Sequence, residues 1–439
     1  MAEPAHDIVV VGGGAGGLEL VTALGKALGH RDRARITLVD QSLTHLWKPL
    51  LHQIAAGTRP AGEDEVNYLI HAKQNGFRFM LGSLAGLDRS KKLIELASMQ
   101  DDKGEQMVPA RSLSYSTLVI AIGSVSNDFG VSGVAEHCYF LDTRKEAERF
   151  HRHLLETCIR IDTRASRSMT DAVNVVIVGA GATGVELAAE LREGVSNLVE
   201  FGLDRIDPHE SISITLLEAG ERILPQLPRR LSKAVAARLN HLDVKVVTGE
   251  QVTEVGSQDI RMASGDRLPA DIVVWTAGIK APDILRELDG LEANHIGQLV
   301  VHPSLQATRD DDVFAIGDCA DCSLSIGDLT RRVPPRAQAV RQQAEHIVRT
   351  IKGKFGNRPP LKFEYNDYGS LVSLTSKSAI GALMGRILGR FTLEGWLARF
   401  AYRSLYRSHQ LKLHGPIQTA LLVSGQTIMR RTRPRLKLH

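Results

Sequence analysis

The stretch "IVVVGGGAGGLELV" at residues 8–21 returns as "VVIVGAGATGVELA" at residues 175–188, identical at 8 of 14 positions. Each is a run of β-branched residues that breaks into glycines and resumes with the apolar spacing of a helix. Gly12, Gly14 and Gly17 in the first stretch, and Gly179, Gly181 and Gly184 in the second, share the spacing G-x-G-x-x-G. That spacing has a mechanical meaning: the first glycine makes the turn, the second lets backbone approach a pyrophosphate, and the third lets the helix lie close on the strand. Phosphates placed there meet free N–H groups and the positive end of the helix dipole. The offset of 167 residues is far beyond solenoid periods, so a whole nucleotide-binding domain is repeated.

An acid closes each unit. "RITLVD" ends in Asp40, 23 residues after Gly17, and "ISITLLE" ends in Glu218, 34 residues after Gly184; the extra length reads as a longer helix and loop. A carboxylate at that strand end accepts hydrogen bonds from a ribose. No arginine sits immediately beside Glu218 to receive a 2′-phosphate, which favours NADH over NADPH, while Arg222 keeps the second open. Downstream, "VFAIGDCA" (313–320) is an apolar strand ending in Gly317 and Asp318. An aspartate there can accept from a hydroxyl at a sheet crevice, or it is an ordinary strand-to-turn aspartate.

A chain of 439 residues is long enough for two or three domains. Its 43% hydrophobic and 24% charged content argues against wholesale disorder. Cys138, Cys158, Cys319 and Cys322 show no secreted spacing, and a strand beginning at residue 8 leaves no room for a signal peptide, so a cytoplasmic, reducing compartment is expected. No apolar run approaches the roughly 20 residues of a spanning helix. Net charge is +4, yet residues 395–439 hold nine Lys and Arg and no acid, leaving the preceding chain net acidic. That asymmetry points to an anionic partner for the tail.

The two fingerprints, "LVIAIGS" (118–124) and "AIGDCA", in that order, resemble the flavoproteins with two dinucleotide-binding domains, the first for FAD and the second for NAD(P)H. "HLWKPLLHQIAAG" (45–57), "GAGATGVELAAEL" (179–191), "LLEAGERILP" (216–225), "VVWTAGIKA" (273–281), "PPRAQAVRQQA" (334–344) and "YRSLYRSHQLKLHG" (402–415) narrow this. Along nearly its whole length the chain resembles the type II NADH:quinone oxidoreductases. The resemblance implies an α/β fold of two Rossmann-like domains with a C-terminal amphipathic helical membrane-binding region. The expected boundaries are an FAD domain from 1–165 and 296–364, an NADH domain from 166–295, and a membrane and quinone region from 365–439. It also implies noncovalent FAD, NADH as substrate, and two-electron reduction of a membrane quinone without proton pumping. Flavin contacts are expected from Gly12, Gly14, Ala15, Gly16, Gly17, Asp40, Lys48, Leu84, Ala121, Gly123, Asp318 and Gln338. NADH contacts are expected from Gly179, Gly181, Ala182, Thr183, Gly184, Glu218, Ala277 and Gly278. "AIGS" stands where related flavoproteins show Ala-Thr-Gly, so the threonine's role is absent.

Four polar groups are candidates for the chemistry. Glu186 lies one turn from the second cradle, where the resemblance places a glutamate beside the isoalloxazine; a helix-dipole partner is the plain alternative. Gln338 and Gln342, four apart on one helix face after Pro334 and Pro335, can serve flavin and quinone oxygens, or be solvated. Lys377 in "SLTSKSAIG" can stabilise an anionic flavin or remain a solvent charge. Residues 41–60 contain no cysteine, so the thiol-relay branch is excluded. Cys319 and Cys322 form C-x-x-C without further thiols or a histidine cluster, and no metal is expected. A sulfide:quinone or other FAD-dependent reductase, a soluble ferredoxin or thiol reductase, and a flavin-bound redox sensor remain as alternatives.

The tail supplies the route to a lipid-soluble acceptor. In "GWLARFAYRSLYRSHQ" (395–410), Leu397, Phe400, Ala401 and Leu405 form a stripe, Arg399, Arg403 and Arg407 recur every four residues, and Trp396, Tyr402 and Tyr406 suit the headgroup level. Ile417, Leu421 and Ile428 follow, then five basic residues. An interfacial helix on an anionic membrane is expected, at the cytoplasmic face of a bacterial inner membrane. Nucleic acid is not expected, and a homodimer is left open.

Overall fold

The computed structural model describes the chain except residues 1–5, 61, 63–64, 164–171, 201–202, 204, 327–328, 376–377, 386–388, 395 and 433–439. The fold divides into two compact units, one of Met1–Trp47, Asp64–Val125 and Lys280–Asp367, the other of Lys48–Glu63, Ser126–Ile279 and Tyr368–His439.

In the first unit, five parallel strands lie in the order Arg78–Leu81, Ala34–Asp40, His6–Val11, Thr117–Ile120 and Asp310–Ala315. This is the doubly wound order, with the first strand central and the chain reversing direction across the sheet beside it. Ile8, Val10, Leu118, Val119 and Ile120 are fully enclosed, as β-branched residues are when helices cover both faces of a parallel sheet. Each such side chain contributes about 1.5–3 kcal/mol by leaving water. The helices Ala15–Ala27 and Ala337–Lys354 pack on one another. Four further short strands extend the same sheet beyond Asp310–Ala315.

The second unit repeats the plan with parallel strands Cys138–Tyr139, Ile272–Trp275, Val173–Val178, Ile212–Glu218 and Val244–Thr248. Its glycine turn leads into helix Ala182–Glu200. The helix Arg144–Asp162 also belongs here, opened by a reciprocal capping box between Thr143 and Glu146. So does helix Leu51–Ala55, which packs on both. The contacts thus group residues 48–63 and 126–162 with the second unit. The reason is close packing: a Cβ on Gly194 would collide with the Ala56 carbonyl, and one on Gly57 with the His151 ring.

The C-terminal region begins with a three-stranded antiparallel sheet, Gly369–Thr375, Ser378–Gly385 and Gly389–Glu394, which sequence reading did not foresee. Strand Gly369–Thr375 lies on helix Ala182–Glu200, and the last helical segment, Trp396–Thr432, covers the sheet. Gly415, at φ 78°, and Pro416 break that segment into two helices. Across the break, Arg407 Nη2 donates to Gln426 Oε1 at 3.0 Å, which folds the second helix back on the first.

Candidate active site

The first cradle is built from backbone. Gly12, at φ 102°, turns the strand into the helix, and a Cβ there would strike the Ala121 carbonyl. A Cβ on Gly17 would strike the Gly12 carbonyl, so helix and strand meet at the distance only glycine permits. Gly14 differs from both: a Cβ there has nothing within 4 Å. Protein packing does not require a glycine at that point, whereas a phosphate approaching the backbone does. No side chain caps the helix that starts at Ala15, so its leading N–H groups are left for a ligand. Asp40 accepts from Gly13 N at 2.6 Å and Ser42 N at 2.8 Å, and burial raises its carboxyl above the ordinary value. Tyr68 Oη donates to the Gly13 carbonyl at 2.6 Å, and His45 Nδ1 lies 2.9 Å from the same oxygen.

The second cradle reproduces the first bond for bond. Gly179 has φ 100°, its N–H donates to Leu217 O as that of Gly12 does to Val39 O, both at 2.8 Å, and a Cβ on Gly184 would strike the Gly179 carbonyl. Gly181 has open space like Gly14. Glu218 Oε2 accepts from Ala180 N at 2.7 Å, the counterpart of Asp40 and Gly13. A Cβ on Gly179 would also meet the backbone of Ala277, which brings Ala277 and Gly278 to the cradle's edge. Arg222 donates to the carbonyls of Leu227 at 2.7 Å and Pro225 at 2.5 Å, so its guanidinium is committed to its own loop and not to a nucleotide beside Glu218.

The repeat diverges in the helix. Glu19 and Glu186 are equivalent positions, both buried. Glu19 Oε1 lies 3.3 Å from Arg341 Nε. Among the described residues Glu186 meets no such cation: Ser373 N donates to Oε1 at 2.9 Å, the Tyr402 hydroxyl hydrogen-bonds the carboxyl, and His52 Nδ1 stands 3.5 Å from Oε2. Burial, with the neighbouring Glu190 adding to it, pushes the Glu186 carboxyl up to about 8. Burial and the Arg59 charge push His52 down to about 3. At neutral pH the two are therefore a protonated acid beside a neutral imidazole, not an ion pair. His52 Nε2 is buried with no hydrogen-bond partner among the described residues. One turn along the helix, Glu190 accepts from Thr58 Oγ1 at 2.5 Å and from Gln53, and burial raises it to about 7.

Sequence reading singled out Glu186 but not His52, Ser373 or Glu190, and gave Tyr402 a place at the membrane surface instead of beside this carboxyl. Only Glu190 left a local signal, its i, i+4 spacing from Glu186.

Other expected residues fall as follows. Ala121 and Gly123 end the strand Thr117–Ile120, with Gly123 at φ 73° and open space at its Cβ. Ser124 Oγ donates to Asp318 Oδ2 at 2.9 Å, so the serine of "AIGS" ties the two flavin-side turns together. Gln343, also unforeseen, accepts from Gly317 N at 2.8 Å. Gln338 and Gln342 share a helix face: Gln338 Nε2 donates to Asp367 Oδ1 at 3.1 Å, and the Gln342 amide pairs with the Asn366 backbone at 2.8 and 2.9 Å. Lys48 lies in the second unit and pairs with Asp142 at 3.1 Å. Leu84 is buried at the start of strand Leu84–Asp88. Lys377 lies outside the described residues, as do the side chains of Trp396, Leu397, Arg399, Phe400, Ala401 and Arg403.

All four cysteines are free and buried; burial raises Cys319 to about 11 and Cys138, Cys158 and Cys322 to about 12, far from thiolate chemistry.

The tail needs a correction. Tyr402 and Tyr406, expected at a headgroup level, turn inward: Tyr402 binds Glu186, while Tyr406 Oη accepts from Gln410 Nε2 at 3.1 Å and lies under the Arg59 guanidinium. The enclosed Glu186 carboxyl offers the Tyr402 hydroxyl a stronger partner than water does, while an amide takes the Tyr406 hydroxyl. The later residues do face outward, with Ile417, Leu421 and Ile428 exposed by 75%, 68% and 65%. No helix among the described residues is long and apolar enough to cross a membrane.

The sequence profile of the pyridine nucleotide-disulphide oxidoreductases matches residues 6–344. A type II NADH:quinone oxidoreductase of Haemophilus influenzae is 44% identical to this chain, over 99% of it and 100% of that protein. Among solved structures, NDH2 of Plasmodium falciparum in complex with NADH superposes with a TM-score of 0.81 at 19% identity, over 99% of this chain and 100% of that one. The sulfide:quinone oxidoreductase of Aquifex aeolicus gives 0.72 at 16% identity, over 94% and 92%. At such identities the two superpositions speak for the fold.

Proposed function

The chain belongs to the pyridine nucleotide-disulphide oxidoreductase family and, within it, to the type II NADH:quinone oxidoreductases, and on that premise we propose that Glu186 is the acid that protonates the quinone. The enzyme oxidises NADH through FAD and reduces a quinone; bound FAD supplies the two-electron carrier between the two substrates. The open space at Gly14 and Gly181, each beside uncapped or outward-facing backbone N–H groups, fits two dinucleotides. Gly12, Gly14, Ala15, Gly16, Gly17 and Asp40 would hold FAD, and Gly179, Gly181, Ala182, Thr183, Gly184 and Glu218 would hold NADH. Glu218, beside an Arg222 that donates to its own loop, favours a ribose hydroxyl over a 2′-phosphate, hence NADH over NADPH.

The observation that carries the role of Glu186 is its enclosure among Ser373 N, His52 and Tyr402, which burial answers by favouring the protonated carboxyl. A carboxyl kept protonated at neutral pH can donate to an oxygen on which negative charge develops. Ser373 N fixes one carboxyl oxygen and so orients the acid. Gln338 and Gln342 are placed to order the turn at Asn366 and Asp367 through their amides, and any hydrogen bond to flavin or quinone must compete with those partners. Support for peripheral binding to an anionic membrane, at the cytoplasmic face where NADH is supplied, is the outward stripe of Ile417, Leu421 and Ile428 next to a basic C-terminus.

Purified protein should be yellow, lose its flavin absorbance when NADH is added anaerobically, and regain it on adding a quinone. Glu186→Gln should leave the first change fast and slow the second. A variant whose reoxidation by quinone equals that of the parent would refute the role given to Glu186.

A further inference from the structure

Glu190 has no part in the mechanism above, yet it is 1% exposed and lies on the same helix face as Glu186. A carboxyl enclosed so fully is retained against a large solvation penalty. Thr58 Oγ1, on a partly exposed residue, donates to its Oε2 at 2.5 Å, Gln53 donates as well, and the Arg59 charge acts on it. Toward Glu186, the phenol of Tyr402 feels both carboxyls and hydrogen-bonds Glu186. Tyr402 thus hydrogen-bonds Glu186 and lies within the field of Glu190, one helical turn away, while the partly exposed Thr58 hydroxyl holds Glu190 from the other side.

We propose that Glu190, acting through Tyr402, is a positioning residue for proton delivery: with Thr58 it forms the solvent-side half of a relay that reprotonates Glu186. The inference rests on Glu186 being the acid that protonates the quinone. The stoichiometry demands such a route. NADH carries two electrons and one proton as hydride, whereas a quinone needs two electrons and two protons, so NADH, quinone and one proton give NAD⁺ and quinol. After Glu186 gives its proton to the quinone oxygen, the Tyr402 hydroxyl proton passes to the Glu186 carboxylate. The Glu190 carboxyl proton passes to the phenol oxygen, and Glu190 recovers a proton from water through the Thr58 hydroxyl. No group is left changed.

The charged and titratable groups that act on Glu190 or feel its charge are Glu193 on its own helix, Arg59 from residues 48–63, and Tyr402 and Glu186 on the inner side. Burial outweighs the favourable hydrogen bonds and holds Glu190 at about 7, where it both gives and takes a proton near neutrality.

The test uses the FAD-loaded enzyme with Glu190→Gln, Glu190→Asp and Thr58→Val. Flavin bleaching by NADH should keep its rate in all three. Reoxidation by a soluble quinone should slow by about tenfold or more in Glu190→Gln, with partial recovery in Glu190→Asp. The fall in turnover as pH rises through about 7 should move up toward about 8, the value of Glu186, in Glu190→Gln. The infrared difference spectrum between oxidised and NADH-treated enzyme should lose one protonated-carboxyl band. An unchanged pH profile overturns the proposal, and so does equal slowing of both half-reactions, the mark of a carboxyl that only supports packing. Should Glu190→Gln not fold, Thr58→Val carries the same test, with slower reoxidation as the expected result and parental reoxidation as the refuting one. Glu186→Gln, run alongside, separates the two ideas: slow reoxidation there with normal reoxidation in Glu190→Gln removes only the relay, and normal reoxidation in Glu186→Gln removes the reading beneath it.

Discussion

Replacing Glu186 by glutamine should remove the pH dependence of stability that this one carboxyl imposes. Its folded value lies near 8 against an ordinary 4.5, mainly because burial penalises the charged form. Between those two values the native chain binds a proton at Glu186 that the unfolded chain has released, so stability falls as pH rises. The contribution is fully present below about 4.5 and is lost as pH rises through about 8. The gap corresponds to on the order of 5 kcal/mol across that window, because each pKa step is worth about 1.4 kcal/mol. Glutamine keeps the shape, cannot ionise, and gives up one hydrogen-bonding arrangement worth about 1 kcal/mol. The variant should therefore be slightly less stable than the parent near pH 5 and clearly more stable near pH 9, with the two curves crossing between. For a unit of this size a kcal/mol moves Tm by roughly 2–4 °C, so the difference in Tm should swing by about 10 °C or more over the window. Glu190 titrates in both proteins and largely cancels in the difference. The assay is thermal unfolding of flavin-loaded parent and Glu186→Gln in matched buffers from pH 5 to 9. Parallel Tm curves would show that Glu186 is not held protonated and would remove the basis for its acid role.

Three further outcomes are expected. Alanine at Gly14 or Gly181 should fold normally but weaken FAD or NADH binding respectively, whereas alanine at Gly17 or Gly184 must displace a strand carbonyl and should lower Tm before binding is reached; flavin content, KM for NADH and Tm distinguish the two classes. Arg192→Met should cost about 3–5 kcal/mol in unfolding experiments, because the buried guanidinium donates to the carbonyls of Leu242, Ile212, Asp243 and Pro208, all of which would be left short of a donor; a loss under 1 kcal/mol would contradict this reading. Serine at Ile417, Leu421 and Ile428 together should release the enzyme from anionic vesicles in sedimentation while leaving turnover with NADH and a soluble quinone intact; retention on the vesicles would argue against that stripe as the adhesive face.

Much of the nucleotide-binding frame was legible before any coordinates. Strands His6–Val11 and Val173–Val178, the helices that follow them and the acids Asp40 and Glu218 fall where the glycine spacing and apolar runs placed them. Less was legible past Asp367. The three strands from Gly369 to Glu394 carry glycine and serine in place of clean alternation, and their partners are a helix nearly two hundred residues earlier and one that follows. The pattern "AYRSLYRSHQ" suggested aromatic rings at a membrane surface, whereas an enclosed carboxyl recruited Tyr402 inward and the Gln410 amide and Arg59 guanidinium hold Tyr406.

The sequence by itself determined the two cradles, because glycine sterics, strand and helix periodicity and an acid at a strand end act over a few bonds and are written locally. Only the tertiary structure decided that Glu19 should face Arg341 while Glu186, its twin in the repeat, should stand protonated among His52, Ser373 and Tyr402. A carboxyl's charge state depends on how much water is excluded around it and on which groups distant segments bring within a few ångströms, and neither quantity has a short-range signature in the chain.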